Sequence, residues 1–230
     1  MTLLTSLLRG DWLSFLMSVL AYFFIIFLLT PIHESAHAFT AYKLGDDNQK
    51  WMGRMSLNPT KHIDAFGVIC FVLFGIGWGK PVSVNQYKFK NPRVGMAITA
   101  AAGPISNIIF AFLAMIIARV ALIFYNPINA SAAIFPYIIA QVFLMMSSIS
   151  LTLAVFNLLP VPPLDGSKIY GFFLPERVMY TMQRYSMFIL LAFIFLLRFT
   201  IVGDWYSALI SGAYNGLYFV VNAIFSLFGV

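Results

Sequence analysis

Long runs of apolar residues, separated by polar loops, dominate the pattern along this chain. Five runs are long enough for a helix that crosses a hydrocarbon layer of about 30 Å, which needs about 20 residues. They span residues 12–45, 94–125, 132–159, 185–202 and 205–230. A shorter run at 63–78 contains Gly67, Gly75 and Gly77, and we expect it to be a re-entrant segment. The pattern predicts an all-α membrane protein with five to six transmembrane helices.

The composition agrees with a place in the lipid bilayer. Hydrophobic residues make up 61% of the 230 residues and charged residues 10%, against about 25% in soluble domains. The net charge of +6 does not indicate nucleic-acid binding, because the basic residues lie in loops between apolar runs. The first run is too long for the apolar part of a cleaved signal peptide, so we expect the amino terminus to stay attached. The single cysteine, Cys70, excludes an internal disulfide.

The basic residues also predict an orientation. If the 63–78 run is re-entrant, the loops at 43–93 and 160–184 lie on the same side of the membrane. These loops hold eleven of the fourteen basic residues: Lys43, Lys50, Arg54, Lys61, Lys80, Lys88, Lys90, Arg93, Lys168, Arg177 and Arg184. Cytoplasmic loops carry an excess of Lys and Arg, so we expect this side to be cytoplasmic.

The most unusual segment is TPIHESAHAF, residues 30–39, near the end of the first run. His33 and His37 are four residues apart, so a helix places both imidazoles on one face, where they can bind one metal ion. Glu34 lies between them, and in H-E-x-x-H sites this carboxylate is the general base. Imidazole and carboxylate ligands favour a catalytic zinc site, so we predict one Zn²⁺ per chain. Pro31 predicts a kink just before His33.

Such a site needs a third protein ligand, and the chain offers few candidates. Asp165 stands out because it lies in NLLPVPPLDG, at the end of an apolar run that is expected to reach the same membrane side as the first. An unpaired carboxylate there would be costly. His62 and Asp64 lie in NPTKHID on that side and stay open as alternatives, although turn capping and loop packing explain them more simply.

Three motifs together resemble the site-2 protease family of intramembrane zinc metalloproteases. They are HESAH in a membrane helix, AGPISN (residues 102–107) in a later one, and NLLPVPPLDG (residues 157–166) after another. The resemblance implies that zinc is bound by His33, His37 and Asp165, and that Glu34 is the catalytic base. It also implies that the substrate is a transmembrane helix of another protein, as in regulated intramembrane proteolysis.

Two asparagines gain an expected role from the same resemblance. Asn107 in AGPISN and Asn157 before the LDG motif correspond to positions that line the active site, where they would bind the substrate backbone or stabilise the oxyanion. Hydrogen bonds between helices explain both equally well, and Gly103–Pro104 could be only a close-packing point.

The resemblance is to a compact subgroup of the family. No loop is long enough for an inserted PDZ domain, which needs some 50 residues or more, and we expect no CBS domain at the carboxyl end. We expect residues 1–230 to form one protease domain, with the catalytic core at about 12–170 and additional helices at about 185–230. The implied location is a bacterial or archaeal cell membrane, with the active site near the cytoplasmic face.

Cleavage within a helix requires the substrate to be unwound and held extended. GRMSLN (residues 53–58) and KPVSVN (residues 80–85) predict two short strands, forming a small β-hairpin near the active site. An exposed edge of this hairpin could pair with an extended substrate, although an ordinary hairpin of the re-entrant segment explains the pattern equally well.

A function of another class stays open as the alternative. The chain could be a metal-binding membrane protein without protease activity, either a transporter or an inactive regulator. A transporter is favoured by internal repeats and a second charged cluster within the membrane, and the sequence has neither. An inactive relative is expected to lack the base, whereas Glu34 is present.

Overall fold

The computed structural model describes residues 7–74, 79–125 and 130–229, and these residues are mostly helical. Ten α-helices are named here in chain order. They are α1 (Trp12–Phe24), α2 (Thr30–Lys43), α3 (Asn48–Trp51), α4 (Ala65–Phe74), α5 (Pro92–Ile123), α6 (Ala130–Asn157), α7 (Asp165–Tyr170), α8 (Glu176–Arg184), α9 (Ser186–Phe199) and α10 (Ile201–Ser226). A π-helical turn, Ile25–Leu29, joins α1 to α2, and short 3₁₀ turns lie at Pro59–Lys61, Gln86–Lys88 and Gly171–Phe173. The predicted helical class is confirmed.

Four helical segments are long and apolar enough to cross a membrane. They are Phe15–Lys43, Pro92–Ile123, Ile134–Asn157 and Ile201–Ser226. Helices α8 and α9 are bent by 73° at their junction and together qualify as a fifth span. Helix α9 alone has 14 residues, or about 21 Å, which is shorter than the hydrocarbon core. The described residues therefore contain four or five candidate spans, where the sequence predicted five to six.

The first span continues through Pro31 by means of the π-helical turn. The Thr30 N–H donates to the Ile25 carbonyl, five residues back, and the Thr30 hydroxyl donates to the same oxygen at 2.8 Å. Pro31 has no N–H to donate, so the ordinary α-helical hydrogen bond is absent at this position. The irregularity expected at Pro31 takes the form of this wider turn, a feature common near functional sites.

The predicted re-entrant run falls only partly on the described residues. Residues 65–74 of this run form helix α4, which has ten residues and is too short to cross a membrane. Residues 75–78, which include Gly75 and Gly77, lie outside the described residues. The re-entrant path therefore stays a prediction.

The predicted β-hairpin is not found in the part of the chain that the structure describes. Residues 53–58 form turns and irregular backbone, residues 80–85 lie outside helices and strands, and an isolated antiparallel bridge joins Ile63 to Gly79. Side chains take the place of the missing strand, because Arg54 donates to the Lys80 carbonyl at 3.3 Å and Gln49 donates to the Ser83 carbonyl at 2.8 Å. These bonds satisfy backbone groups that a partner strand would otherwise bind.

The chain divides into two compact units, and the boundary falls inside α5, after Ser106. The first unit comprises Met1–Ser106 and Lys168–Phe173, and the second comprises Asn107–Ser167 and Leu174–Val230. Buried apolar residues of the first unit are Leu29, Ala38, Ala41, Phe89 and Ala100. In the second unit, Ser147 and Ser150 on α6 donate at 2.8 Å to the α5 carbonyls of Ala111 and Asn107. Small residues and serine hydrogen bonds of this kind allow membrane helices to pack closely.

Candidate metal and catalytic site

Two imidazoles face each other on the buried side of α2. Their spacing of four residues places them on one face of the helix. His33 and His37 are only 9% and 7% exposed. Their Nε2 atoms lie 3.0 Å apart, and the two rings are nearly perpendicular, at 84°. On a tetrahedral zinc ion with bonds of about 2.05 Å, two nitrogen ligands lie about 3.3 Å apart, so this spacing fits two ligands of one ion.

A backbone carbonyl determines which ring nitrogen of His37 carries the proton. Its Nδ1 lies 2.7 Å from the carbonyl oxygen of Thr99 on α5. A carbonyl can only accept, so Nδ1 carries the proton, and in the neutral ring Nε2 keeps its lone pair directed at His33. Metal-binding histidines commonly donate their other N–H in this way, which fixes the ring orientation and the tautomer.

Gly103 on α5 provides the space that the two rings occupy. A Cβ atom on Gly103 would lie 2.3 Å from His37 Nε2 and 2.6 Å from His33 Cε1. No side chain other than that of glycine fits against rings in these positions. The sequence suggested that Gly103 is a close-packing point, and the group packed against it is the pair of imidazoles.

Asp165 is the first residue of α7 and is 7% exposed. Each of His33, His37 and Asp165 offers one ligand atom, and these three atoms lie within 4.8 Å of one another. Across the described ranges, this is the one group of His, Cys, Asp or Glu residues with the spacing to hold a metal ion. Two imidazoles and one carboxylate, all buried, match the ligand types of a catalytic zinc site with a fourth position for water.

The two alternative third ligands make other contacts. His62 is fully buried, and its Nε2 donates to the Ser56 carbonyl at 2.6 Å. The Asp64 carboxylate accepts the Gly67 N–H at 2.7 Å, near the start of α4. Loop packing and turn capping, the simpler explanations from sequence, therefore account for both residues.

Glu34 lies between the two histidines on α2 and is half-buried. One of its carboxylate oxygens, Oε2, accepts a hydrogen bond from the backbone N–H of Val82 at 3.2 Å. This contact could not be predicted from the sequence, because Val82 is 48 residues away in a loop and acts through its backbone. Such a donor orients a carboxylate without taking its second oxygen.

The two asparagines have different surroundings. Asn107 lies one turn after Gly103 on α5 and is 1% exposed, and neither polar atom of its side chain has a partner among the described residues. The Asn157 amide donates to the Leu153 carbonyl at 3.0 Å, one turn back in α6. Asn107 thus has unused hydrogen-bonding capacity, whereas Asn157 uses part of its capacity within its own helix.

Comparison with known proteins finds a matching family and several similar proteins. A family model described as Peptidase family M50 matches residues 125–197 of this chain. "Putative zinc metalloprotease YwhC" of Bacillus subtilis is 39% identical over 168 residues, which are 73% of this chain and 75% of that protein. "Putative zinc metalloprotease Rip2" of Mycolicibacterium smegmatis is 32% identical over 140 residues, 59% of this chain and 50% of that protein. No solved structure matches the chain.

Proposed function

This chain belongs to Peptidase family M50, the site-2 protease family, and from that membership we propose that it is an intramembrane zinc metalloprotease. Its reaction is the hydrolysis of peptide bonds within or next to transmembrane segments of other membrane proteins. The observation that carries the proposal is the buried group of His33, His37 and Asp165, whose ligand atoms lie within 4.8 Å of one another.

The proposed zinc ligands are His33, His37 and Asp165. Zinc bound there supplies a water of lowered pKa and polarises the scissile carbonyl. Two neutral imidazoles and one carboxylate leave a single net positive charge with the ion, which reduces the cost of a charged group in this buried position. Thr99 and Gly103 support the assignment, since one orients the His37 ring and the other leaves room for both rings.

Glu34 is the proposed general base. Its carboxylate takes a proton from the attacking water and then delivers that proton to the nitrogen of the leaving amine. The Val82 N–H on Oε2 supports this role, because it fixes the direction of the carboxylate while Oε1 can accept the proton.

We also propose substrate contacts for Asn107 and Asn157. The unused amide of Asn107 supports the first, since a bound peptide offers both a carbonyl and an N–H to such a group. For Asn157 the support is its position eight residues before Asp165, at the end of α6.

The proposed setting is a multi-pass protein of a bacterial or archaeal cell membrane, with the active site near the cytoplasmic face. The concentration of basic residues in loops 43–93 and 160–184 supports this orientation. We propose further that residues 1–230 act as one protease domain, because the boundary between the two compact units falls inside a single helix.

The substitution Glu34→Gln tests the proposal. It removes the base but leaves both histidines and Asp165, so we expect full zinc content and loss of cleavage, by about 10²-fold or more. Purified protein in detergent or vesicles is assayed for zinc by metal analysis and for cleavage of a single-span membrane reporter. Glu176→Gln makes the same chemical change at the one other glutamate of the chain and serves as the matched control.

Equal cleavage by the Glu34→Gln variant and by the wild type would remove Glu34 from the mechanism. Wild-type protein that binds zinc but cleaves no member of a panel of membrane reporters would instead favour a metal-binding membrane protein without protease activity.

A further inference from the structure

A segment outside the helices and strands contacts the proposed catalytic base. This 80–85 segment (Lys80–Asn85) has no strand partner among the described residues, yet it brings the Val82 N–H to Glu34 Oε2 at 3.2 Å. Backbone without a partner strand has no ladder of strand hydrogen bonds to set its register. Something else in the fold must therefore fix which amide faces Glu34.

Two fully buried side chains fix the carboxyl-terminal half of the segment. The Gln49 amide on α3 donates at 2.8 Å to Asp46 Oδ2 and also at 2.8 Å to the Ser83 carbonyl. Asp46 Oδ2 accepts the backbone N–H of Asn85 at 2.9 Å. Asp46 and Gln49 are both 0% exposed. We call these two side chains the Asp46–Gln49 latch.

The amino-terminal end of the segment is fixed separately. The Lys80 N–H donates to the His62 carbonyl at 2.7 Å, and the Arg54 guanidinium donates to the Lys80 carbonyl at 3.3 Å. Val82 is thus held between an anchor at Lys80 and the latch at Ser83 and Asn85. A slip by one residue would move its N–H by about 3.3 Å, which is more than a hydrogen bond tolerates.

We propose that Asp46 and Gln49 are positioning residues for the catalytic base, acting through the Val82 N–H. The latch holds the 80–85 segment in the register that lets this amide orient the Glu34 carboxylate toward the reacting water. This inference rests on the proposed function, because it assumes that Glu34 is the base. It adds a requirement beyond the zinc ligands and the base. This requirement is the buried Gln49 amide and Asp46 carboxylate, which are not members of the proposed zinc-binding group.

Paired substitutions at the latch test this inference. Gln49→Leu removes the donor with little change in volume, and Asp46→Leu removes the acceptor and keeps a branched side chain. Asp46→Asn keeps an oxygen that can accept from both Gln49 and Asn85, so it is the conservative variant. Lys50→Gln, an exposed position on the same helix, is the control.

We expect both leucine variants to lose roughly tenfold or more in kcat, with little change in KM and full zinc content, because a misplaced base slows the chemical step without weakening substrate binding. We expect Asp46→Asn to retain most of the wild-type kcat and Lys50→Gln to have the wild-type kcat. Hydrogen–deuterium exchange of the peptide covering 80–85 gives a readout independent of activity. Its exchange should rise about tenfold or more in the leucine variants, as expected for loss of one or two hydrogen bonds.

A second pair of variants tests the amide itself and remains informative if the leucine variants fold poorly. Val82→Pro removes the N–H that binds Glu34 and leaves the latch intact. Val84→Pro places the same ring two residues away, at an amide that takes part in none of these contacts. We expect Val82→Pro to reduce kcat roughly tenfold, with zinc retained, and Val84→Pro to have a much smaller effect.

Two failures can be told apart. An active wild type, an inactive Glu34→Gln variant, and latch and Val82→Pro variants with wild-type kcat would overturn the positioning inference alone. Cleavage that is insensitive to Glu34→Gln would overturn the proposed function, whatever the latch variants do. Equal losses of kcat and zinc in the leucine variants would also contradict a positioning role and show a general structural one.

Discussion

The positions of the His33 and His37 imidazoles require that residue 103 be glycine, which has no Cβ atom. Gly103→Ala would place a Cβ 2.3 Å from His37 Nε2 and 2.6 Å from His33 Cε1, so at least one ring must move. We predict that this variant binds zinc about 10- to 100-fold more weakly, the range seen when groups that orient metal ligands are changed. Zinc affinity measured by competition with a chelator checks the prediction.

A second glycine of the same helix provides the matched control for Gly103→Ala. A Cβ on Gly95 would lie 2.3 Å from the Phe89 ring, so Gly95→Ala also crowds α5, but at a position away from the imidazoles. This control should lower thermal stability while zinc affinity stays at the wild-type value. Equal zinc affinity in the two variants would show that the space at Gly103 does not govern the site.

The proposed third ligand, Asp165, leads to a separate prediction. Asp165→Asn replaces a negatively charged oxygen with a neutral one in a buried position, so we expect zinc content after purification to fall by about tenfold or more. Metal analysis checks it, with Asp64→Asn as the control that removes the other candidate carboxylate. Unchanged zinc in the first variant and a fall in the second would exchange the roles of these two residues.

The sequence predicts the residues that come together at this site, but not how they are supported. The spacing of His33 and His37 follows from helix geometry, and Asp165 from its motif after an apolar run. The Thr99 carbonyl and the Val82 amide left no signal, because backbone groups are the same in every residue. Which of them faces a given side chain depends on how distant segments pack.

At the scale of elements, the sequence predicts the helices well and fails at the loop between α2 and α5. The short run at 80–85, bounded by Pro and Asn, predicted a strand. The segment is not a strand, and its partners are the side chains of Arg54, Gln49 and Asp46. The residues of this short run carry no information about which distant side chains bind its backbone.

The same loop has a second, weaker anchor at its surface. Lys88 forms an ion pair with Asp47, and hydrogen bonding and charge attraction from Lys88 hold the pKa of Asp47 below its usual 3.8. Because the folded-state pKa is the lower one, this stabilisation is present above pH 3.8 and is lost as the pH falls through the folded value. The pair is therefore intact at neutral pH. Both groups are solvent-exposed, so the pair contributes little to stability.

At the scale of the whole molecule, the number of spans and the direction of α10 depend on whether one bent helix pair crosses the membrane. If α8 and α9 together cross the membrane, the turn between α9 and α10 lies on the side opposite the loop at 86–90. If they do not cross, both lie on the same side. The apolar pattern predicted a span over 185–202, but α9 reaches only Phe199 and bends away from α8 by 73°.

Single cysteines placed at these two positions decide between the arrangements. In a Cys70→Ser background, Tyr87→Cys marks the loop and Ile201→Cys marks the turn, and both side chains are exposed, at 84% and 68%. With five spans and a cytoplasmic site, a membrane-impermeant maleimide should label Ile201→Cys in intact spheroplasts, and Tyr87→Cys only after permeabilisation. Labelling of neither position before permeabilisation would mean four spans. Labelling of Tyr87→Cys in intact spheroplasts would place the 80–85 segment, and Glu34 with it, on the outer side, against the distribution of basic residues.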